Sequence, residues 1–98
     1  MKTPEGKVKD EIKSWLDEIG AYHFWPVQTG IGADTVDCLA CINGRFVAIE
    51  VKAPGRPLAV TARQRRRLQQ VIKAQGVAVV TNSLQLLQDD LRMYCVVR

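Results

Sequence analysis

Asp37, Glu50 and Lys52 are the residues whose types and spacing could perform chemistry on a phosphate. Glu50 and Lys52 are separated by one residue, so in a strand their side chains project from the same face. A Glu-x-Lys pair alone is common on exposed strands, where it forms an ordinary solvent-facing strip of charges. The functional interpretation therefore depends on whether the chain folds back so that Asp37 joins the pair.

The sequence between these residues predicts such a fold-back. Two strand-like runs, residues 35–42 and 45–53, are joined by Asn43-Gly44, a dipeptide that suits a type I′ turn because both turn positions need positive φ. Pairing outward from this turn sets Asp37 directly opposite Glu50, on the face that also carries the lysine. The other face is expected to form the core, and its residues are Val36, Cys38, Ala40, Val47, Ile49 and Val51.

Two carboxylates held opposite each other, with Cβ atoms about 5 Å apart, repel and need a proton or a cation. A divalent metal is expected, because hard cations such as Mg²⁺ prefer carboxylate and carbonyl oxygen. The expected ligands are Asp37, Glu50 and the backbone carbonyl of Val51. A bound metal would polarise a phosphate and generate a hydroxide nucleophile, while Lys52 would position the water or stabilise charge on the phosphate.

The remaining segments predict an α/β fold, a mixed sheet flanked by helices, within a single domain that spans residues 1–98. Thr3 and Pro4 suit the start of a first helix, and Gly76 suits the end of a second helix whose buried side carries Leu68, Val71 and Ile72. The predicted order is helix 3–20, edge strand 22–28 containing Pro26, loop 29–34, the hairpin, helix 61–75, buried strand 77–81, helix 83–91 and final strand 93–97.

The residues of the hairpin resemble a known family. Asp37 followed by Glu50-Val51-Lys52 is similar to the PD-(D/E)xK nuclease superfamily and, more specifically, to the VRR-NUC (virus-type replication-repair nuclease) family. One departure is Val36, which stands where the superfamily's name motif has proline. The resemblance covers about residues 4–80, and its other parts are Pro4-Glu5-Gly6, Val36-Asp37-Cys38-Leu39, residues 44–55, Gln64 and Gly76.

The resemblance implies a restriction-endonuclease-like αβββαβ core and a Mg²⁺- or Mn²⁺-dependent DNA endonuclease. Branched DNA is the implied substrate, as for Holliday-junction resolvases, and small stand-alone members are expected to act as homodimers. Two alternatives stay open. The chain could be a non-catalytic nucleic-acid-binding module, although its intact Asp37, Glu50 and Lys52 argue against this, or a nuclease subunit that acts with a helicase partner.

Two further side chains are expected at the edge of the site. Glu5 and Glu11 compete as the carboxylate from the first helix, and both the helical wheel and the resemblance favour Glu5, although a first-turn acid also complements the helix dipole. Gln64 fits a capping box with Thr61 and, by the resemblance, also a site residue that hydrogen-bonds a metal-bound water or the lysine. The expected catalytic set is Asp37, Glu50, Lys52, Glu5 and Gln64.

The charge distribution favours a polyanionic partner. The net charge is only +4, with a pI near 9.2, but arginines crowd the start of the second predicted helix. Such a run is usually a solvated helix face, whereas beside a nuclease site it is a natural contact for DNA phosphates. The expected DNA-binding residues are Arg56, Arg63, Arg65, Arg66, Arg67 and Lys73.

Other features exclude competing classes. No apolar run approaches the roughly 20 residues of a membrane span, and the first residues lack a secretion signal, so we expect the cytoplasm of a bacterial or phage-infected cell and reduced cysteines. Cys38 and Cys41 have the spacing of a zinc motif, but on a strand they point to opposite faces. His23 is expected to be a hydrogen-bonded strand residue rather than a catalyst.

Overall fold

The computed structural model describes residues 2–27 and 36–98, which form a mixed four-stranded sheet and three helices. In chain order the elements are α1 (Pro4–Glu18), β1 (Tyr22–Phe24), β2 (Cys38–Ile42), β3 (Arg45–Val51), α2 (Ala62–Lys73), β4 (Val77–Thr81) and α3 (Leu84–Met93). The strands lie in the order β1-β2-β3-β4, and all neighbours are antiparallel except β3 and β4, which are parallel. This confirms the predicted α/β fold.

Side-chain caps fix where the first two helices begin. The hydroxyl of Thr3 accepts a hydrogen bond from the backbone amide of Gly6 at 3.0 Å, and Pro4 occupies the first turn of α1. In α2, the hydroxyl of Thr61 accepts from the amide of Gln64, whose side-chain oxygen accepts in return from the amide of Thr61. Both predicted helix starts are confirmed.

The hairpin has the predicted turn and the predicted register. Asn43 and Gly44 have φ angles of 51° and 79°, as a type I′ turn requires. Pairing runs from Ile42 opposite Arg45 to Cys38 opposite Ile49 without a bulge. Asp37 precedes β2 by one residue and therefore lies level with Glu50, at the end of the hairpin away from the turn.

The sheet is buried on both faces, whereas the sequence predicted a core on one face only. Helices α1 and α3 cover the face that carries Cys38, Val47 and Ile49, while α2 covers the opposite face through Leu68. Val36, predicted on the first face, packs instead on the α2 side, because β2 begins at Cys38 and strand alternation does not extend back to Val36. Glu50 consequently lies beneath α2 rather than in solvent.

The predicted final strand over residues 93–97 is wrong. Met93 is the last residue of α3, and the amides of Cys95 and Val96 donate to the carbonyls of Arg92 and Leu91 at 3.0 and 2.9 Å. This pattern, with Cys95 at a φ of 59°, is a Schellman closure of the helix. The buried side chain of Val96 then packs in the core, so its apolar character reflects burial rather than strand pairing.

The end of α2 also differs from the prediction. Gln75, not Gly76, adopts the positive φ, at 76°. Gly76 is needed for space, because a Cβ atom there would lie 2.7 Å from Cγ1 of Val71. Ile72, predicted on the buried side, is 56% exposed, since Leu68 and Val71 occupy the positions that face the sheet.

The first strand is shorter than predicted. It ends at Phe24, two residues before Pro26, and lies at the edge of the sheet as the proline requires. The predicted loop over residues 29–34 and the start of the strand at Thr35 lie outside the described residues. Within residues 2–27 and 36–98, no helix is both long and apolar enough to cross a membrane.

Candidate active site

Asp37 and Glu50 lie side by side where the hairpin strands end. Each side chain accepts a hydrogen bond from a backbone amide on the opposite side of the hairpin. Oδ2 of Asp37 accepts a hydrogen bond from the backbone amide of Val51 at 2.8 Å. Oε1 of Glu50 accepts a longer one, 3.3 Å, from the backbone amide of Asp37. The predicted juxtaposition of the two acidic side chains is therefore present.

Lys52 and Gln64 complete a cluster around Glu50. Nζ of Lys52 lies 3.7 Å from Oε2 of Glu50 and donates to Oε1 of Gln64 at 3.1 Å. The Gln64 amide nitrogen donates in turn to the same Glu50 oxygen at 2.9 Å. Gln64 thus serves both interpretations offered by the sequence, because it caps α2 and contacts two of the predicted catalytic residues.

The first helix reaches this cluster through a residue that the sequence reasoning missed. Nζ of Lys9 lies 3.3 Å from a carboxylate oxygen of Asp37 and 3.3 Å from one of Glu5. Glu5 is therefore placed beside the cluster, whereas Glu11 is exposed. The i,i+4 spacing of Glu5 and Lys9 predicts their ion pair, but the contact of Lys9 with the hairpin depends on tertiary packing.

Burial and like charge make ionisation of Glu50 unfavourable. Desolvation, followed by the negative charge of Asp37 and a hydrogen bond with its side chain, raises the pKa of Glu50 from 4.5 to about 7, although Lys52 opposes this. Burial alone would lower the pKa of Lys9, but the charge and hydrogen bonds of Asp37 and Glu5 outweigh burial and raise it. A cation bound beside Glu50 would therefore favour its ionised form.

The oxygen atoms at this point suit a hard cation. The amide of Lys52 donates to the carbonyl of Thr81 in β4, so the N–H and C=O of Val51 project the other way, towards Asp37. Among the described residues, no group of three or more histidine, cysteine, aspartate or glutamate side chains could hold a metal. Two carboxylates with one carbonyl still fit Mg²⁺, which commonly keeps several waters and uses one or two protein carboxylates.

The predicted DNA-binding residues do not form one face. Gln64, Leu68 and Val71 point towards the sheet, and helical periodicity then puts Arg63 and Arg67 on one flank of α2. The other basic residues of the helix lie on the opposite flank and on the outward face, and they are Arg65, Arg66 and Lys73. Arg56 is exposed in the loop after β3, where its carbonyl accepts from the side chain of Asn82 at 3.1 Å.

The remaining candidates have structural roles. Cys38 is buried, which raises the pKa of its thiol to about 12, whereas Cys41 is exposed, so the two do not share a metal. Nδ1 of His23 accepts from the indole of Trp25 at 2.8 Å, and Nε2 bonds to Asp17 at 2.6 Å. As expected, His23 is a hydrogen-bonded strand residue.

A solved structure described as a VRR_NUC domain has the same fold, with a TM-score of 0.75 and 20% sequence identity. The similarity covers 94% of this chain and 97% of that chain. The sequence matches no family model and no curated protein. At this level of identity the similarity establishes the fold, so the predicted restriction-endonuclease-like architecture is confirmed, and the chain has the fold of a VRR_NUC domain.

Proposed function

We propose that this chain is a VRR-NUC member of the PD-(D/E)xK superfamily and a divalent-metal-dependent endonuclease that hydrolyses phosphodiester bonds in DNA. One observation carries the proposal. Two acidic side chains, Asp37 and Glu50, are held together at the end of a hairpin, where Gln64 donates a hydrogen bond to Glu50 and the ammonium group of Lys52 lies 3.7 Å from it. The shared fold with a VRR_NUC domain supports the same conclusion.

Asp37, Glu50 and the carbonyl of Val51 are the residues that would hold Mg²⁺ or Mn²⁺. Such an ion, when bound, polarises a phosphate oxygen and lowers the pKa of water. Both carboxylates are held in place, since Asp37 accepts a hydrogen bond from the amide of Val51 and Glu50 accepts one from Gln64. Helix α2 covers Glu50 and excludes bulk water from its carboxylate. Electrostatic interactions of this carboxylate are therefore stronger than they would be in water.

Lys52 supplies the positive charge closest to Glu50. Its hydrogen bond to Gln64 fixes an ammonium group beside the carboxylates, where it can donate to a non-bridging phosphate oxygen as negative charge develops. Gln64 acts as a positioning residue, because it holds Lys52 and Glu50 at once. Lys9 lies between Glu5 and Asp37 and orients the carboxylate of Asp37.

The proposed substrate is branched DNA, and the proposed active form is a homodimer, both on the strength of the resemblance. Contacts to the DNA backbone would come from the arginines of α2, from Lys73 and from Arg56, whose positive charges would neutralise phosphates. A two-fold dimer would present two such sites to the two strands of a junction that must be cut.

The test replaces Lys52 with alanine. We expect Lys52→Ala to abolish Mg²⁺- or Mn²⁺-dependent cleavage while leaving DNA affinity nearly unchanged, because one charge is removed from a site that several arginines supplement. Lys7→Ala, which removes an exposed lysine from α1, is the matched control and should cleave normally. Cleavage is followed on labelled junction, flap, nicked and linear DNAs, and affinity is measured in EDTA.

The outcomes separate the possible functions. Full activity of Lys52→Ala would refute the assignment of the site. If the unmodified protein binds these DNAs but cuts none with either metal, the chain is a nucleic-acid-binding module. Equal cleavage of junction and linear DNA would reject selectivity for branched structures while retaining the nuclease.

A further inference from the structure

A groove lies next to the carboxylate cluster, between α2 and the hairpin. Its volume is about 480 Å³, within the roughly 300–1,000 Å³ of sites that take small ligands. Most of its wall is apolar, and Phe46 stands 49% exposed at one side. The residues that line it are Val36, Leu39, Phe46, Arg67, Gln70, Val71, Ala74, Gln75 and Gly76.

The polar side chains that line the groove are Arg67, Gln70 and Gln75, and the first two are hydrogen-bonded to each other. Nη1 of Arg67 donates to Oε1 of Gln70 at 3.0 Å on the α2 side, and Phe46 contributes an aromatic ring from the hairpin. An aromatic ring and a guanidinium plane are the groups on which unstacked bases lie in proteins, and a glutamine amide can pair with a base edge. The chemistry of the groove therefore suits a planar heteroaromatic ring.

The groove adjoins the proposed active site at two points. Val36, in its wall, precedes Asp37 directly, and Arg67 follows Gln64 by about one turn of α2. A nucleic-acid strand with a phosphate at the carboxylates therefore runs past the near end of the groove.

Resting on the proposed nuclease function, we infer that this groove is a binding site for one unpaired base of the DNA, stacked on Phe46 at roughly 13 Å along β3 from Glu50. The ring would stack on Phe46 and Arg67, with its edge at Gln70. Selectivity for a branched or distorted structure would follow, because a base that is already unpaired costs less to insert than one in a regular duplex.

Charge favours a base over a second copy of the chain as the occupant. The α2 sequence contains five basic residues and no acidic one, and Arg63 and Arg67 share the flank beside the groove. Two copies joined through this groove would bring two such helices together, and like charges oppose that contact. A DNA strand instead brings phosphates to the same arginines.

The experiment measures binding in EDTA, so it does not depend on cleavage. The probes are a junction DNA with one unpaired adenine beside the branch, the same DNA with 2-aminopurine in its place, and the same DNA with an abasic site there. Phe46→Leu keeps an apolar side chain but removes the stacking ring. Ile72→Ala is the matched control, because Ile72 is an exposed apolar residue of α2 outside the groove. Thermal melts check that each variant is folded.

We expect the abasic site to weaken binding of the unmodified protein by roughly 5- to 100-fold, the usual effect of losing one base–aromatic stack. Phe46→Leu should bind the DNA that carries the base more weakly than the unmodified protein does, by a similar factor. On the abasic DNA, Phe46→Leu and the unmodified protein should have nearly equal affinities. Ile72→Ala should match the unmodified protein on both DNAs. The 2-aminopurine fluorescence should change when the unmodified protein binds, because the base leaves its neighbours in the DNA, and it should change less with Phe46→Leu.

Equal binding of base-containing and abasic DNA by the unmodified protein would overturn the inference, whatever the variants do. So would a change of oligomeric state in Phe46→Leu with unchanged base dependence, which would make the groove an interface between copies. Cleavage of DNA without any dependence of binding on the base would reject base binding in the groove and retain the nuclease function. Base-dependent binding without cleavage of any DNA would reject the nuclease function and retain the groove as a base-binding site.

Discussion

Glu50 should make the stability of the metal-free protein fall as pH rises through neutrality. Its carboxyl is 4% exposed and lies against Asp37, so the pKa is raised from 4.5 to about 7. A carboxyl with a higher pKa in the folded state binds its proton more tightly there than in the unfolded chain. The stability gained from this proton is complete below pH 4.5 and is lost as pH rises through about 7.

The size of the effect follows from the difference between these two pKa values. Each pKa unit corresponds to about 1.4 kcal/mol, so ionising Glu50 in the folded state costs about 3 kcal/mol of unfolding free energy. For a domain of 98 residues this loss lowers the melting temperature by roughly 10–25 °C between pH 4.5 and 8. Glu50→Gln should not show this loss, because the neutral amide has no proton to lose over this pH range, while its oxygen can still accept from Gln64.

Denaturant unfolding in EDTA, from pH 4.5 to 8.5, measures the prediction. The difference between Glu50→Gln and the unmodified protein cancels the contributions of titrating groups that do not interact with Glu50, and it should grow from near zero to about 3 kcal/mol in favour of the variant. Adding Mg²⁺ at pH 8 should raise the stability of the unmodified protein and not that of the variant. A difference that does not change with pH would refute the account of this site.

Other predictions concern the ends of α2. Thr61→Ala, which removes one capping bond, should cost about 1 kcal/mol in denaturant unfolding but leave cleavage intact. Gln64→Ala should lose cleavage at least 10-fold more than Thr61→Ala, and equal activities would make Gln64 a cap only. Gln75→Gly should raise unfolding free energy by about 1 kcal/mol, because it relieves a φ of 76°. Gly76→Ala should lower it by about 1–3 kcal/mol, since its Cβ would meet Val71; unchanged melting of either variant would contradict these backbone assignments.

The hairpin was predictable because its determinants are local. A two-residue Asn-Gly turn permits one register, and that register fixes which residues face each other five to six positions away. Capping residues are also local signals, which is why the starts of α1 and α2 agree with the prediction. Asp37 and Glu50 were therefore brought together correctly from the sequence.

The parts that the sequence did not reveal depend on packing between elements. Apolar residues on one face of the hairpin predict one buried face, but the other face is buried as well, because Ala48 is small and α2 packs over it. The placement of Lys9 against Asp37 needs the position of α1 on the sheet. Val96 is apolar because its side chain fills the core just after the end of α3. Strand propensity alone does not distinguish such a residue from one in a strand.

Gln64 links the parts of the proposed site to one another. Its side-chain oxygen accepts from the amide of Thr61 and from Lys52, while its nitrogen donates to Glu50. The first turn of α2 is thereby fixed against the end of β3, so the register between the helix and the carboxylates is set by hydrogen bonds rather than by apolar contact alone. Because Arg67 follows on the same rigid helix, its distance from the carboxylates is set too. A substitution at Gln64 should therefore disturb both the position of Lys52 and the position of the α2 flank that we propose contacts DNA.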